Sequence, residues 1–244
     1  SLARQDAGPI ARALNETIAM SEDCQYANFL RNHDELTLDK LSEEERQEVF
    51  DAFGPDADMQ LFGRGLRRRL PSMLDGDQRR IRMAYSLLFA LPGTPVLFYG
   101  EEIGMGENLA IDGRMSVRSP MQWTDEQNGG FSKARPSRLR RRVTEGRFGP
   151  LAVNVATQRR DPDSLLSWME RLIRRRKETP ELGWGHWKVL ETNVPSVLSH
   201  RCDWDGRSVL AVPNLGDQPC VVRLQLRDVP EDGRLDALPA ERGP

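Results

Sequence analysis

Arg31-Asn32-His33-Asp34-Glu35 sets a guanidinium, an amide, an imidazole and two carboxylates at five consecutive positions, directly after the mostly apolar run Tyr26-Ala27-Asn28-Phe29-Leu30. A buried strand that breaks into such a cluster is leaving the core and entering a site. Carboxylates there can hold developing positive charge, and a histidine can donate to hydroxyl groups. Thr94-Pro95-Val96-Leu97-Phe98-Tyr99-Gly100-Glu101-Glu102 repeats the design, with two carboxylates at its end. An amphipathic stretch of helical period lies between the two. Strand, helix, strand predicts a parallel pair with both polar clusters on one face of one sheet, where catalytic groups of parallel α/β proteins gather.

Those clusters need rigid elements behind them. Residues 9–20 read as a helix, with Pro9 in its first turn and Ile10, Leu14 and Ile18 at helical spacing. Ser42-Glu43-Glu44-Glu45 is a capping-box pattern that opens a short polar helix to about Phe53, and Gly54-Pro55 stops it. The insert from Leu36 to Leu70 mixes Gly with charge, which suits a lid over a pocket, and Glu35 is expected to pair with one of its arginines. Asp77 caps the next helix, whose Ile81, Ala84, Tyr85, Leu88 and Leu91 share a face. From Gly100 to Gly149 there is little periodicity and much Gly, Pro and Arg, so a long loop region is expected. Within it the basic run Arg135 to Arg147 reads as solvated. Asp163 or Ser164 caps a last helix that turns Leu165, Leu166, Met169, Leu172 and Ile173 inward, with Arg174, Arg175, Arg176 and Lys177 in its final turns. After Pro180, short apolar runs (Trp187 to Leu190, Val197 to His200, Val209 to Val212, Val221 to Leu226) and the turn Asp205-Gly206 predict a small antiparallel β domain. The carboxyl tail, rich in Pro and Asp, shows no clear strand.

The 244 residues are 30% charged and 38% hydrophobic, with a net charge of −2. Such a chain can bury a core and has no global pull toward nucleic acid or an anionic membrane. Its longest apolar run, Leu87 to Pro92, is far short of a bilayer span, and no basic-then-apolar leader is visible. Cys24, Cys202 and Cys220 are an odd set without metal spacing, which fits a reducing, cytoplasmic compartment. No metal or other cofactor is expected, the expected partner is a small-molecule substrate, and the oligomeric state is open.

Three motifs also carry a family resemblance. Phe29-Leu30-Arg31-Asn32-His33-Asp34 resembles the last conserved motif of the α-amylase family of glycoside hydrolases and transglycosylases. The stretch from Gly93 to Met105 is similar to that family's eighth barrel strand and the loop after it. Arg118-Ser119-Pro120-Met121-Gln122-Trp123 resembles the Pro-Met-Gln-Trp segment of its α-glucosidase and trehalose synthase branch. The triplet Asn-His-Asp alone is a weak signal; three motifs in order and at rough spacing are a specific one. The likeness runs over nearly the whole chain and leans toward the trehalose synthases, including Arg64 to Leu70 and Asn154 to Pro162.

The resemblance implies an α/β fold, the carboxyl-terminal part of a (β/α)8 TIM barrel followed by a small antiparallel β domain. Residues 1–182 would supply strands seven and eight with their helices and loops, and residues 183–244 a β-sandwich-like domain that need not be complete. It implies retaining chemistry on an α-glucoside such as maltose, with a carboxylate nucleophile and a carboxylic acid. Asp34 takes the role of transition-state stabiliser; His33, Arg118 and Glu35 count as substrate-binding residues. Plainer readings stand beside these: Asp34 as a capping loop carboxylate, His33 as a packed histidine, Glu101 and Glu102 as loop anchors, and Trp123 as a buried structural residue instead of a sugar-stacking one. The family's nucleophile and acid/base residue end its fourth and fifth strands, ahead of the motif seen here, and no stretch resembles them. A full barrel takes roughly 250 residues by itself. The expectation is an enzyme that isomerises maltose to trehalose, of which this chain alone is inactive. An α-glucosidase or oligo-1,6-glucosidase, or a non-catalytic relative, are the alternatives.

Overall fold

The computed structural model describes residues 1–18, 21, 23–141 and 143–226. Helix α1 (Gly8–Glu16) has Pro9 in its first turn, where the missing N–H is harmless. It ends short of the expected residue 20 because Thr17 turns to extended backbone; residues 19 and 20 lie outside the described residues. Strand β1 (Ala27–Asn28) leads into the polar cluster, and β2 (Leu36–Thr37) leaves it. Helix α2 (Glu43–Phe53) opens on the expected capping box, in which Ser42 accepts from the Glu45 amide and Glu45 from the Ser42 amide. Strands β3 (Gln60–Leu61) and β4 (Gly65–Leu66) complete a three-stranded antiparallel sheet of order β2-β4-β3.

Helix α3 (Leu70–Met73) is buried throughout. Helix α4 (Gln78–Ala90) is capped by Asp77, whose carboxylate accepts from the Arg79 and Arg80 amides. Strand β5 (Thr94–Pro95) follows at once. Short 3-10 turns interrupt the long loop, and then come α5 (Val155–Gln158), α6 (Leu165–Lys177), capped by Ser164, and α7 (Glu181–Trp184). Strands β6 (His186–Val189), β7 (His200–Trp204) and β8 (Arg207–Ala211) form an antiparallel sheet. Among the described residues no helix is long and apolar enough to cross a membrane.

Strands β1 and β5 pair in parallel, Ala27 opposite Thr94 and Asn28 opposite Pro95, with α4 in the crossover. Both polar clusters therefore leave the sheet at the same end, as the strand–helix–strand pattern predicts. Both strands stop sooner than expected. The ladder bonds are Thr94 N–H to Tyr26 O and Val96 N–H to Asn28 O, each 2.7 Å. The chain beyond Asn28 bends toward the turn at Asp34, which ends the pairing.

The main core joins α4 (Ile81, Ala84, Tyr85, Leu88) to α6 (Leu165, Trp168, Met169) and to Leu38, Phe50, Phe53 and Leu66 of the insert. The insert is thus packed into the body of the protein and does not stand off as a lid. Its apolar residues outweigh its surface charge once α2 and the small sheet place them on one side. Each large apolar side chain buried there contributes about 1.5–3 kcal/mol.

A second cluster, Ala7, Leu87, Leu198 and Leu215, packs α1 and α4 against the region of the last sheet, and a His200 ring nitrogen lies 2.8 Å from Ala90 O. The turn between β7 and β8 is the expected Asp205-Gly206, with φ of 50° and 72°. Two left-handed central residues match the twist of a tight hairpin. Two expected strands differ. Val197 makes only an isolated bridge to Asn214, and Leu224 only one to Thr192. Pro195 and Pro213 interrupt the ladder beside Val197 and Asn214. The expected featureless tail past residue 226 lies outside the described residues.

Ile81→Ala, at a fully buried position, is expected to destabilise the chain by about 2–5 kcal/mol in chemical denaturation. Leu151→Ala, at a position 86% exposed, should shift the midpoint little.

Candidate active site

The polar cluster is shaped by its own side chains. Asn32 Oδ1 accepts from the Asp34 amide at 2.8 Å, and Asp34 Oδ1 accepts from the Glu35 amide at 3.0 Å. The first of these is the turn that Asn forms when it binds backbone two residues on. Arg114 Nη1 donates to Asp34 Oδ2 at 2.7 Å, and its Nε lies 3.7 Å from Glu35 Oε2. Arg118 Nε donates to His33 O at 2.6 Å, across a sequence separation of 85 residues. His33, Asp34, Glu35 and Arg118, singled out from sequence, therefore come together at one place. The His33 side chain is exposed, which sets aside the packed-histidine reading. Glu35 pairs with Arg114 of the long loop and with no arginine of the insert, because Gly65 of β4 packs against the Glu35 side chain and leaves it facing the loop.

Two buried guanidiniums hold this arrangement from below. Arg31 Nε donates to Arg68 O at 2.7 Å, and its Nη2 to Asp34 O at 2.9 Å. Arg69 donates from Nη1 to Tyr99 O at 2.8 Å and from Nη2 to Val117 O at 2.7 Å. The Arg69 guanidinium carbon also sits 4.6 Å from the Phe98 ring centre and 5.0 Å from that of Tyr99. Arg68 pairs with the buried Glu107 at 3.1 Å, and Glu107 accepts from the Arg69 amide at 2.8 Å. Arg114, Arg31 and Arg69 were not singled out as site residues from sequence. The available signal for Arg114 was its place one turn before Arg118, inside the 3-10 turn Gly113–Val117.

The Asp34 carboxyl is held below the usual aspartate range by Glu35, as side-chain and amide hydrogen-bond partner, and by the charges of Arg114 and Arg118; partial burial opposes them. It is an anion at neutral pH. Burial lowers Arg31 to about 10 and raises Glu101 to about 7. Glu101 Oε2 accepts from the Phe98 amide at 2.8 Å, so this residue anchors its loop. A cavity of about 560 Å³ opens beside Arg118, walled by Tyr99, Glu102, Trp123 and Phe131. Trp123 is 48% exposed, which removes the buried structural reading for it. Arg141 of the basic run reaches back with Nη1 to Arg118 O at 3.4 Å, so that run is not wholly solvated.

Arg114→Gln is expected to raise the Asp34 pKa toward the ordinary carboxylate range in an NMR titration, without fully restoring it because the Glu35 contacts remain. An unmoved Asp34 titration would show that Arg114 does not act on it.

Comparison with known proteins agrees with this geometry. The family description "Alpha amylase, catalytic domain" matches residues 58–185, just over half of the chain. A trehalose synthase of Pimelobacter sp. (strain R48) is 40% identical over 229 residues, which is 92% of this chain and 40% of that protein. One of Thermus thermophilus is 42% identical over 217 residues, 88% of this chain and 22% of that protein. An amino acid transporter heavy chain, SLC3A1 of Rattus norvegicus, is 34% identical over 170 residues, 64% of this chain and 24% of that protein. The chain thus spans two fifths or less of the length of these relatives. Among solved structures, an α-amylase from H. orenii superposes with a TM-score of 0.53 at 25% identity, over 78% of this chain and 30% of that one. The trehalulose synthase MutB of Pseudomonas mesoacidophila MX-45 gives 0.51 at 23%, over 78% and 34%, a likeness of fold alone. Motifs, parallel strand pair and family match agree: the chain belongs to the α-amylase family and carries part of its (β/α)8 barrel, followed by an antiparallel sheet.

Proposed function

We propose that this chain supplies the sugar-reading side of an active site for α-glucosidic bonds, of the trehalose synthase kind that converts maltose to trehalose. The observation that carries the reading is the convergence of Asp34, His33 and Glu35 with Arg114 and Arg118 across some eighty residues of sequence. In this reading residues 1–182 belong to the catalytic barrel and residues 183–244 to a β domain beside it.

Retaining transfer passes through an oxocarbenium-like state in which positive charge grows on the ring. Asp34, kept ionised by Glu35, Arg114 and Arg118, is the transition-state stabiliser: held against the sugar hydroxyls, it binds the charged ring better than the neutral substrate. In taking up sugar it exchanges its bond to Arg114 for hydroxyl donors. His33 and Arg118 donate to hydroxyls of the same ring, and Glu35 accepts. Nucleophile and acid/base are not among these groups. Asp34 and Glu35 share Arg114, and Glu101 is buried on the Phe98 amide. Excluding water while the free glucose turns and rejoins separates isomerisation from hydrolysis.

Hydrolysis, as by an α-glucosidase or oligo-1,6-glucosidase, is the second reading. The cavity beside Arg118, with half-exposed Trp123 and Phe131 at its wall, favours it by offering water a route. The likeness to a transporter heavy chain supports a third, non-catalytic reading.

With maltose, the 244-residue chain alone is expected to give neither trehalose nor glucose above an Asp34→Ala control. Joined to a complete barrel, it should form trehalose, and Asp34→Asn should lower kcat by roughly 10²–10³-fold. Glucose as the only product would favour the hydrolase, and no product from the completed protein would favour the non-catalytic reading.

A further inference from the structure

Glu101 is 1% exposed, and its two oxygens are used unequally. Oε2 accepts from the Phe98 amide, while Oε1 has no hydrogen-bond partner among the described residues. The hydroxyl of Tyr85, reaching in from α4 and fully buried, also has no hydrogen-bond partner among the described residues, and burial together with the charge of Glu101 pushes it up. Arg69 and Arg31 face Glu101 as positive charges from two other segments, and Glu102 of its own turn as a negative one. Helix α6 meets this turn with apolar Leu165 and Leu166. As an anion such a carboxyl answers the guanidiniums but leaves a buried charge on the unpartnered Oε1, and as a neutral acid it carries no charge into the interior.

The turn that Glu101 anchors leads straight to the site. Its Phe98 and Tyr99 rings meet edge to face at 4.5 Å, and both lie on the Arg69 guanidinium. The Tyr99 hydroxyl donates to Ser119 O at 2.7 Å, next to Arg118 on His33. We propose that Glu101 is a proton-linked positioning residue. Neutral, it leaves no charge inside the 98–104 turn, which carries Tyr99 and through it the Arg118–Ser119 segment; ionised, it sets a buried charge on the unpartnered Oε1, and that charge loosens the turn. Its link to catalysis rests on the sugar-site reading above, whereas the proton linkage itself does not.

The proton comes from solvent and returns to it. Burial is the main cause that raises Glu101 to about 7; the Phe98 amide, Arg69 and Arg31 pull the other way. The folded chain therefore binds this proton more tightly than the unfolded chain, whose carboxyl has the ordinary glutamate value. The stabilisation is complete below that value and is lost as the pH rises through about 7.

The test is thermal unfolding of the 244-residue chain, wild type against Glu101→Gln, across about pH 5 to 8. Glutamine keeps the shape of the neutral acid but cannot ionise. The Tm of Glu101→Gln minus that of wild type is expected to increase with pH, most steeply between the ordinary glutamate value and about 7, and to level off above that. In parallel, amide exchange over residues 97–119, corrected for its intrinsic pH dependence, should speed up with pH in wild type and stay level in Glu101→Gln. A Tm difference independent of pH, or the same exchange profile in both proteins, overturns the proposal. Should Glu101→Gln fail to fold, Tyr85→Phe serves instead. It removes a hydroxyl that can donate to the ionised carboxylate and leaves the burial in place, so its stability must go on falling to higher pH than that of wild type, and a flattened slope overturns the proposal. None of these readouts needs sugar, so their failure leaves the maltose reading standing, and an inactive completed enzyme leaves the proton linkage standing.

Discussion

Two arginine side chains buried among backbone carbonyls set the geometry of everything near Asp34. Arg31 is 3% exposed and Arg69 2%. A guanidinium taken out of water must have its donors answered, and a planar fork of five N–H groups can answer several carbonyls at once. Arg31 uses the carbonyls of Arg68 and Asp34, and Arg69 those of Tyr99 and Val117. Each thereby ties segments far apart in sequence: the 31–35 turn to the chain before α3, and that same chain to Tyr99 and to Val117 in the first half of the long loop. Lysine, a single point of charge, could not make these pairs of bonds. The parallel strands that launch the two polar clusters are only two residues each, so side-chain-to-backbone bonds carry positioning that a longer ladder would otherwise supply.

The same constraint sets the electrostatics. Positive charge from Arg114 and Arg118 surrounds Asp34 at the surface, while Arg31 and Arg69 lie beneath, answered by carbonyls and faced by Glu101 and by Glu107, which is paired with Arg68. An anion held in fixed surroundings can stabilise growing positive charge without reorganising when that charge appears. The site's acidity and its geometry are therefore one property, because the residues that fix the backbone also decide which carboxyls are ionised.

Much of the scaffold was legible in the sequence because its signals are local. The Ser42–Glu45 capping box, the Asp77 cap with Ile81, Ala84, Tyr85 and Leu88 on one face, and the Asp205-Gly206 turn each follow from neighbouring residues. The strand–helix–strand order likewise places both clusters on one side. The partners of the site residues were less legible. Arg64 to Arg69 reads as a charged run, yet Arg69 is buried by carbonyls 30 and 48 residues away, and bonds from side chain to distant backbone leave no periodicity. Arg114 took the partnership that Glu35 seemed to owe the insert, because the insert spends its apolar residues in the core. Where Val197 makes a single bridge instead of a strand, Pro195 and Pro213 override an apolar pattern that looks strand-like on its own.

The most direct test of the arginine constraint is a crystal structure of Arg69→Lys. A lysine can satisfy the Tyr99 carbonyl or the Val117 carbonyl but cannot bridge both as the fork does. The loop segments should therefore separate and the 2.6 Å contact of Arg118 with the His33 carbonyl should be lost, while the α4–α6 core remains as it is. An Arg118–His33 contact unchanged in that variant would contradict the account and assign the placement of the site to the strands alone.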